Sequence, residues 1–299
     1  MIVAGRDRFS EMLANELNAK YVEIGHRVFP DGESYFRLKE QNIIKGQPVI
    51  LVVRAKTPGT NLDGLVTESV ILLDYIRSLG PSKLCLLLPY QPYSRQDQQF
   101  LRGEPVSSKI IRKTLSKKCD LLVNVASHDF RKEGWISRNM YNVSGLESAI
   151  TLLKMEEHKN AVVIAPDMTE NGNVQKIAKV IGAGTISIMK ERDKVTGDIE
   201  SEEIDYDFGG KDVIIYDDVT SSGATLLKTI HRVKTDAPRR ITVIVIHAIA
   251  CYNPKEKMDS IEMIRETRAK FHSSDTIETP VTSFSVIPET AKRLREIFR

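Results

Sequence analysis

The chain has few cysteines, the residues that cross-link small secreted domains, with three among its 299 residues. Cys85, Cys119 and Cys251 lie far apart in or beside apolar runs, and no two of them form a Cys-x-x-Cys pair. This spacing excludes a disulfide framework and a zinc knuckle. We expect three unpaired thiols and a reducing, cytoplasmic location.

An excess of one charge and long apolar runs are also missing. The 43 Lys and Arg residues nearly balance the 40 Asp and Glu residues, leaving a net charge of +3, too little to indicate a nucleic-acid partner. Even the apolar run at 241–250 is far shorter than the roughly 20 residues that span a bilayer. Charges at Arg6, Asp7 and Arg8 argue against a secretion signal. We therefore expect neither a nucleic-acid nor a membrane protein.

Short apolar runs alternate with helical stretches along the chain. We predict buried strands at residues 49–54, 83–90, 120–127, 161–166, 185–189, 212–218 and 241–248. Apolar residues recur at helical spacing at 62–80, 173–182 and 224–234, and Gly80-Pro81 ends the first of these helices. Continuous apolar strands separated by helices are typical of mainly parallel sheets covered on both faces. The sequence predicts an α/β fold.

The length favours two domains of ordinary size, since roughly 150 residues per domain is a useful prior. Both halves contain a strand and helix series, and a polar joint lies near residues 142–147. We predict an N-terminal domain at 1–143 and a C-terminal domain of similar build at 144–299. The last amphipathic segment, 288–298, could pack on either domain.

The strongest functional signal follows the predicted strand at 212–218. This strand runs into Asp217 and Asp218, then a turn of small hydroxyl residues, then a helix. Helix N-terminal N–H groups with the hydroxyls of Ser221, Ser222 and Thr225 suit a phosphate, whereas the two carboxylates suit sugar hydroxyls. The pattern indicates a pentose 5-phosphate site. The alternative is that Ser and Thr cap the helix and the acids are surface residues.

This segment resembles the phosphoribosyl-pyrophosphate motif of type I phosphoribosyltransferases and ribose-phosphate diphosphokinases. The resemblance implies two similar phosphoribosyltransferase-like domains, with the ribose 5-phosphate site in the C-terminal one. Its implied residues are Asp217, Asp218, Thr220, Ser221, Ser222, Gly223, Ala224 and Thr225.

The loop at residues 91–107 follows another predicted strand and carries Arg95, Gln96 and Asp97. An Arg at a strand end suits polyphosphate oxygens, although a solvated loop would also explain the run. Its setting, between Pro89-Tyr90 and residues 103–106 (Gly-Glu-Pro-Val), resembles the ATP triphosphate site of the diphosphokinases. The resemblance assigns ATP binding in the N-terminal domain to these three residues.

The segment at residues 29–38 reads as a hairpin, because Pro30-Asp31-Gly32 is a turn signature between aromatic and β-branched residues. It also resembles the hairpin that reaches the adenine of a neighbouring subunit's ATP in the diphosphokinases. The resemblance implies ATP contacts for Phe29, Asp31 and Glu33, and a homo-oligomer, a dimer at least, with a hexamer as the larger alternative.

A polar stretch at residues 193–210 follows Lys190 and Arg192 and holds seven acids and three glycines. Such a stretch makes a poor core element and is typical of a lid. The basic pair could be an ordinary exposed one. It resembles the start of the family's catalytic flexible loop, which implies that Lys190 and Arg192 stabilise the transition state.

His128 and Asp167 each follow a predicted strand, and the resemblance implies that they bind Mg²⁺. The chain departs from the family pattern at both places. The usual Asp-Leu-His is Ala126-Ser127-His128, and the usual Pro-Asp-x-Gly-Gly ends in Thr169-Glu170.

The resemblance covers nearly the whole chain and identifies it as a member of the ribose-phosphate diphosphokinase family. It implies transfer of the β,γ-diphosphoryl group of MgATP to the 1-hydroxyl of ribose 5-phosphate, for nucleotide biosynthesis. Two alternatives stay open: a phosphoribosyltransferase, and a non-catalytic regulatory homologue. No GxxxxGK[ST] or GxGxxG motif occurs to indicate a P-loop kinase or a dinucleotide fold.

Overall fold

The computed structural model describes residues 1–56, 61–130, 132–187, 190–192, 199–201 and 206–299. For residues 168, 187, 190–192 and 199–201 it describes the backbone only. The chain divides into two compact units, the first made of Met1–Gly145 with Ser285–Arg299 and the second of Leu146–Phe284. The boundary predicted from the sequence lies close to the end of the first segment.

The first unit alternates strands and helices, and the strands predicted at 49–54, 83–90 and 120–127 and the helix predicted at 62–80 are among its elements. Its elements before the boundary are β1 (Ile2–Gly5), α1 (Arg8–Glu16), β2 (Lys20–Val28), β3 (Ser34–Leu38), β4 (Pro48–Val52), β5 (Ala55–Lys56), α2 (Leu62–Ser78), β6 (Lys83–Leu88), α3 (Ser107–Ser116), β7 (Leu121–Val125), β8 (Gly134–Ser137) and β9 (Met140–Val143).

Eight strands of this unit form one sheet in the order β3-β2-β1-β4-β6-β7-β9-β8. The six strands from β2 to β9 in this order run parallel, and only the edge strands β3 and β8 are antiparallel to their neighbours. β4, β6 and β7 are buried almost end to end, which explains their continuous apolar sequences. Because the parallel strands share one direction, the loops after β4, β6 and β7 leave from the same edge.

The second unit repeats the alternation. Its elements are α4 (Leu146–Lys154), β10 (Val162–Ala165), α5 (Asn171–Ile181), β11 (Gly184–Ser187), β12 (Lys190–Arg192), β13 (Ile199–Ser201), β14 (Asp212–Thr220), α6 (Ala224–Lys234), β15 (Arg240–Ala248), β16 (Tyr252–Asn253), β17 (Met258–Asp259), α7 (Ser260–Glu266), β18 (Lys270–Ser274), β19 (Ile277–Glu278) and β20 (Thr282–Phe284).

The main sheet of the second unit has six strands in the order β11-β10-β14-β15-β18-β20, and every neighbouring pair is parallel. Its core joins strand residues such as Ile215 and Val243 to Ile230 of α6 and Ile264 of α7, all fully buried. β14 and β15 are the longest strands and lie at the centre. The predicted α/β fold with mainly parallel sheets is confirmed in both units.

The final helix, α8 (Ile287–Phe298), belongs to the first unit, which is one of the two placements that the sequence left open. It begins with Pro288 in its first turn and buries Ile287, Ala291 and Leu294 on one face. Among the helices described, none is long and apolar enough to cross a membrane.

Candidate active site

The hydroxyl-rich loop of the second unit connects β14 to α6. β14 runs on to Thr220, so that Asp217 and Asp218 lie within the strand rather than after it. Gly223 precedes α6 with a φ of 73° and has no side chain to cap this helix, and the Ala224 N–H reaches only Ser222 Oγ, at 3.5 Å. The first-turn N–H groups of α6 therefore point into the loop, where a phosphate could accept their hydrogen bonds.

The carboxylate of Asp217 lies in an unfavourable environment. Burial raises the pKa of Asp217 well above its ordinary value. The carboxylates of Asp218, Asp167 and Glu170 raise this pKa further, with Asp218 acting most strongly of the three. Like charges held close together are costly, and such crowding is typical of binding and catalytic sites.

Asp167 and Glu170 reach this group of carboxylates from the loop between β10 and α5. The Asp167 side chain accepts a hydrogen bond from the Thr169 N–H at 2.9 Å, which closes a local turn. Glu170 is buried and accepts a hydrogen bond from Asn173 Nδ2 at 2.8 Å. The sequence analysis noted Glu170 only as a departure from the family pattern and did not predict it as a site residue.

The donor set of the second unit fits magnesium. Mg²⁺ takes oxygen ligands, and proteins usually hold it through one or two carboxylates together with substrate phosphates. A divalent cation would offset the repulsion that raises the pKa of Asp217. In the part of the chain that the structure describes, no three ligating side chains form a ready-made metal site. The imidazole of His128 is a poorer ligand for this ion than the carboxylates are.

The Arg95–Asp97 loop of the first unit follows β6 and is fixed by its own contacts. Gln96 accepts a hydrogen bond from Ser107 Oγ at 2.6 Å through its side chain and another from the Ser108 N–H at 3.2 Å through its backbone. Glu104 accepts hydrogen bonds from the N–H groups of Phe100 and Leu101, both at 2.9 Å. Arg95 is exposed at the surface of this ordered loop, and Gln96 and Asp97 are half-buried.

His128 lies in a tight turn after β7. The Phe130 N–H donates a hydrogen bond to the Ser127 carbonyl at 2.8 Å and closes this turn. Asp97 and Asp129 line one cavity of about 480 Å³, together with Phe130, Lys132, Trp135 and Ile136. The structure therefore brings the Arg95–Asp97 loop and the His128 turn together at the carboxyl edge of the first sheet.

The predicted hairpin forms, with β2 and β3 as its strands and the Phe29–Glu33 segment as its turn. The Phe29 N–H donates a hydrogen bond to the Glu33 carbonyl at 2.8 Å, and Asp31 accepts one from the Glu33 N–H at 3.0 Å. The Arg27 guanidinium lies 5.2 Å from the Phe29 ring centroid. The three predicted ATP residues are exposed at the hairpin tip, and β1 and β4 separate this hairpin from β6.

Lys190 and Arg192 lie in the short strand β12, which pairs antiparallel with β13. Their side chains lie outside what the structure describes, as do most residues of the predicted lid. The predicted roles of both residues therefore stay predictions.

The comparisons with known proteins agree with one another. Residues 1–118 match the model of the N-terminal domain of ribose phosphate pyrophosphokinase. The ribose-phosphate pyrophosphokinase of Saccharolobus solfataricus is 30% identical over 266 residues, which is 87% of this chain and 89% of the relative. That of Thermococcus kodakarensis is 28% identical and covers 98% of this chain, with 99% of its own length matched.

A solved structure shares the fold over its whole length. The phosphoribosylpyrophosphate synthetase of Mycobacterium smegmatis superposes with a TM-score of 0.81, covering 100% of this chain and 98% of that one at 21% identity. The chain therefore shares the fold of that synthetase, an α/β fold with two units that each contain a mainly parallel sheet. The chain belongs to the ribose-phosphate pyrophosphokinase family.

Proposed function

We propose that the chain is a ribose-phosphate diphosphokinase. It transfers the β,γ-diphosphoryl group of MgATP to the 1-hydroxyl of ribose 5-phosphate and yields 5-phosphoribosyl 1-pyrophosphate and AMP for nucleotide biosynthesis. The observation that carries this proposal within the family is the crowding of Asp217, Asp218 and Asp167 beside the N-terminus of α6. Carboxylates next to an anion-binding helix end suit a sugar with hydroxyls on one side and phosphate on the other.

The second unit binds ribose 5-phosphate in this proposal. The 5-phosphate of this substrate accepts hydrogen bonds from the loop after β14 and the first turn of α6. The carboxylates of Asp217 and Asp218 accept hydrogen bonds from the ribose hydroxyls, which offset the crowding that raises the pKa of Asp217. The full set of binding residues is Asp217, Asp218, Thr220, Ser221, Ser222, Gly223, Ala224 and Thr225.

The first unit binds ATP. Arg95 offers a planar guanidinium to the triphosphate oxygens, while Gln96 and Asp97 complete the loop that contacts the nucleotide. Phe29, Asp31 and Glu33 contact the adenine from a neighbouring subunit. The separation of the hairpin from β6 within the first unit supports this use, and we propose a homo-oligomer, a dimer at least, with a hexamer as the larger form.

The reaction is an in-line displacement at phosphorus. The 1-hydroxyl oxygen attacks the β-phosphorus and loses its proton, while the bond from the β-phosphorus to the oxygen bridging to the α-phosphate breaks and AMP leaves with that electron pair. Such transfers depend mainly on positioning and charge stabilisation. Lys190 and Arg192 supply positive charge to the transferring group and favour the transition state over the bound substrates.

One magnesium ion would be held by Asp167 in the second unit and another, more weakly, by His128 in the first, with the substrate phosphates completing the coordination of each. When bound, magnesium neutralises part of the charge on the diphosphoryl group. The chain's own contribution is to place the carboxylates of the second unit where oxygen ligands are needed. The small number of cysteines supports a cytoplasmic enzyme. The near balance of positive and negative charges and the short apolar runs support one that binds neither nucleic acid nor a membrane.

An assay for AMP with and without ribose 5-phosphate tests the function. We expect AMP and phosphoribosyl pyrophosphate in equal amounts, and neither product when ribose 5-phosphate is omitted. ³¹P NMR of the same mixture separates a pyrophosphoryl product from a monophosphoryl one. Formation of ADP would mean ordinary single-phosphoryl transfer, and no turnover of ATP with ribose 5-phosphate would mean a non-catalytic protein; either result overturns the proposal.

A further inference from the structure

The turn that carries His128 is held by Asn142 of β9. Asn142 is buried, and its Oδ1 accepts a hydrogen bond from the Ser127 N–H at 3.1 Å. Its Nδ2 donates to the carbonyls of Phe130 at 3.1 Å and Lys132 at 3.0 Å. Ala126, just before the turn, has a φ of 40°, a left-handed conformation that a residue with a Cβ adopts only at a cost. The chain is thus forced into one path around His128.

A buried ion pair fixes the same turn from the other side. Asp129 accepts a hydrogen bond from Ser127 Oγ at 2.7 Å and pairs with Arg112 of α3. The side chains of Asp129 and Arg112 are only 6% and 12% exposed. The Arg112 guanidinium also lies 4.4 Å from the centroid of the Phe130 ring, so it contacts two of the three residues that follow Ser127.

The helix that supplies Arg112 also holds the Arg95–Asp97 loop. Ser107 and Ser108, at the start of α3, make the two hydrogen bonds to Gln96. α3 is therefore a common support, joined at its first turn to the Arg95–Asp97 loop and through Arg112 to the His128 turn.

A buried ion pair rarely adds much to stability, because the desolvation of two charges offsets their attraction. It does specify one geometry, since a charge left without its partner in the interior is costly. The family's usual acid lies two residues before this histidine, whereas here that position is Ala126 and an acid follows the histidine directly.

We propose that Asp129 and Arg112 are positioning residues for the reaction, which fix the His128 turn relative to the Arg95–Asp97 loop and so determine the affinity for MgATP. The inference rests on the proposed function for its kinetic consequences. Its structural part, an ordered His128 turn that depends on the pair, stands without it.

Three variants test the inference. Asp129→Asn keeps an acceptor for Ser127 but leaves Arg112 without its charge partner. Arg112→Met leaves the buried Asp129 carboxylate without its charge partner. We expect each to raise the KM for MgATP about tenfold or more, the scale found for residues that support a ligand-binding side chain, with the KM for ribose 5-phosphate unchanged. The double variant Asp129→Asn/Arg112→Met buries no charge, so it should regain thermal stability while its KM for MgATP stays high.

Recovery of both stability and KM in the double variant would show that the pair serves only the fold, and would overturn the inference. Arg54→Met is a matched control, because Arg54 pairs with Asp7 at 3.1 Å in the same unit and both side chains are 5% exposed. It should lower thermal stability without separating the two KM values. If it shifts the KM for MgATP as much as Asp129→Asn does, the Asp129 effect is not specific and the inference fails.

A spectroscopic measurement keeps this result distinct from that of the proposed function. The chain has six histidines, few enough to resolve the His128 imidazole in ¹⁵N-histidine NMR spectra. We expect one sharp His128 signal in the unmodified protein and a shifted or exchange-broadened signal in Asp129→Asn, without added ligand. An unchanged signal would overturn the positioning role even if the enzyme is active. A changed signal in a chain that makes no AMP would support the structural part of the inference, an ordered His128 turn that depends on the pair, and would overturn the proposed function.

Discussion

Glu289 accepts hydrogen bonds from Ser144 Oγ and from the Gly145 N–H, both at 2.9 Å, although 145 positions separate it from Ser144. Glu289 lies in the first turn of α8 and is 4% exposed. These bonds join the last helix to the end of the first segment of its unit. A carboxylate buried with such partners is satisfied, and its removal leaves a buried backbone N–H without an acceptor.

Glu289→Ala should lower the free energy of unfolding by about 1–3 kcal/mol, because a buried donor loses its acceptor. Glu289→Gln, which keeps one acceptor oxygen, should lose less. Urea unfolding followed by circular dichroism measures both. Glu296→Ala on the same helix is the control, since its side chain is 51% exposed and should matter by less than about 0.5 kcal/mol. Equal losses in Glu289→Ala and Glu296→Ala would contradict this account.

The central elements of both sheets could be predicted because they are buried on both faces and so produce continuous apolar runs. The predicted helix at 224–234 coincides with α6, and the strand predicted at 83–90 contains β6. Short elements such as the edge strand β8 and the separate β16–β17 pair could not be predicted, because a few half-exposed residues produce no periodic pattern. The position of α8 could not be fixed either, since it depends on contacts between residues far apart in the sequence.

The site could be predicted where a local pattern carries it. The loop of Ser221 to Thr225 is contiguous, so the sequence alone indicates its chemistry. Arg112 and Asn142 have no such signal, because each contacts the His128 turn only after the sheet has formed. Asp129 follows His128 directly in the sequence, but its partner Arg112 lies in α3. The membership of Glu170 in the group of carboxylates likewise depends on the loop after β10 lying beside β14.

Asp217→Asn should stabilise the protein without ligand while weakening substrate binding. The pKa of Asp217 is raised in the folded state, so folding loses stability as the pH rises above the ordinary carboxyl range. Asparagine removes that cost, and we expect a gain of about 1–2 kcal/mol at neutral pH. The loss of a charged acceptor should raise the KM for ribose 5-phosphate about ten- to a hundredfold. Thermal unfolding and steady-state kinetics measure the two effects.

Asp236→Asn is the matched control of opposite sign in the same unit. The Phe208 N–H and the Arg232 guanidinium lower the pKa of Asp236, so its charge favours the folded state. The substitution should lower stability and leave the KM for ribose 5-phosphate unchanged. A stabilising Asp236→Asn, or a destabilising Asp217→Asn, would show that these charges do not act as described.

Gly223→Ala should damage the loop before α6. Gly223 has a φ of 73°, and an added Cβ would lie 3.4 Å from Ser260 Cβ and from Ile264 Cδ1. The left-handed conformation costs a residue with a Cβ roughly 1–2 kcal/mol, so the loop should shift and bind ribose 5-phosphate more weakly. Gly172→Ala in α5 is the control, because nothing lies within 4 Å of its added Cβ. Calorimetric titration with ribose 5-phosphate should separate the two variants, and equal affinities would contradict the prediction.

Lys190→Ala tests the assignment of the basic pair at β12. If the ammonium stabilises the transferring group only in the transition state, turnover should fall by about a thousandfold or more, the scale found for charged groups in phosphoryl transfer. Ribose 5-phosphate binding should stay nearly intact, since the ground state gains little from this charge. Lys194→Ala, four residues along, is the control. A turnover number that is unchanged in Lys190→Ala would refute the role of this residue.

Glu68 of α2 gives the first unit a pH-dependent stability. Its side chain is 6% exposed and lines a cavity of about 920 Å³ together with residues of β2 and of the segments that follow β1 and β4. Burial raises the pKa of Glu68 from 4.5 to about 7, although the Arg6 guanidinium at 2.8 Å acts in the opposite direction. The folded state therefore binds more protons than the unfolded state between these two values, and stability falls as the pH rises from 4.5 to about 7.

Glu68→Gln should remove that dependence, because glutamine cannot ionise and still offers an acceptor to Arg6. The unmodified protein should lose about 3 kcal/mol more than the variant between pH 4.5 and pH 7, at roughly 1.4 kcal/mol per pKa unit. The difference should vanish below pH 4.5, where Glu68 is protonated in both states. Urea unfolding at a series of pH values measures it, with the exposed Glu16→Gln as control. Parallel stability curves for Glu68→Gln and the unmodified protein would mean that Glu68 is ionised in the folded state.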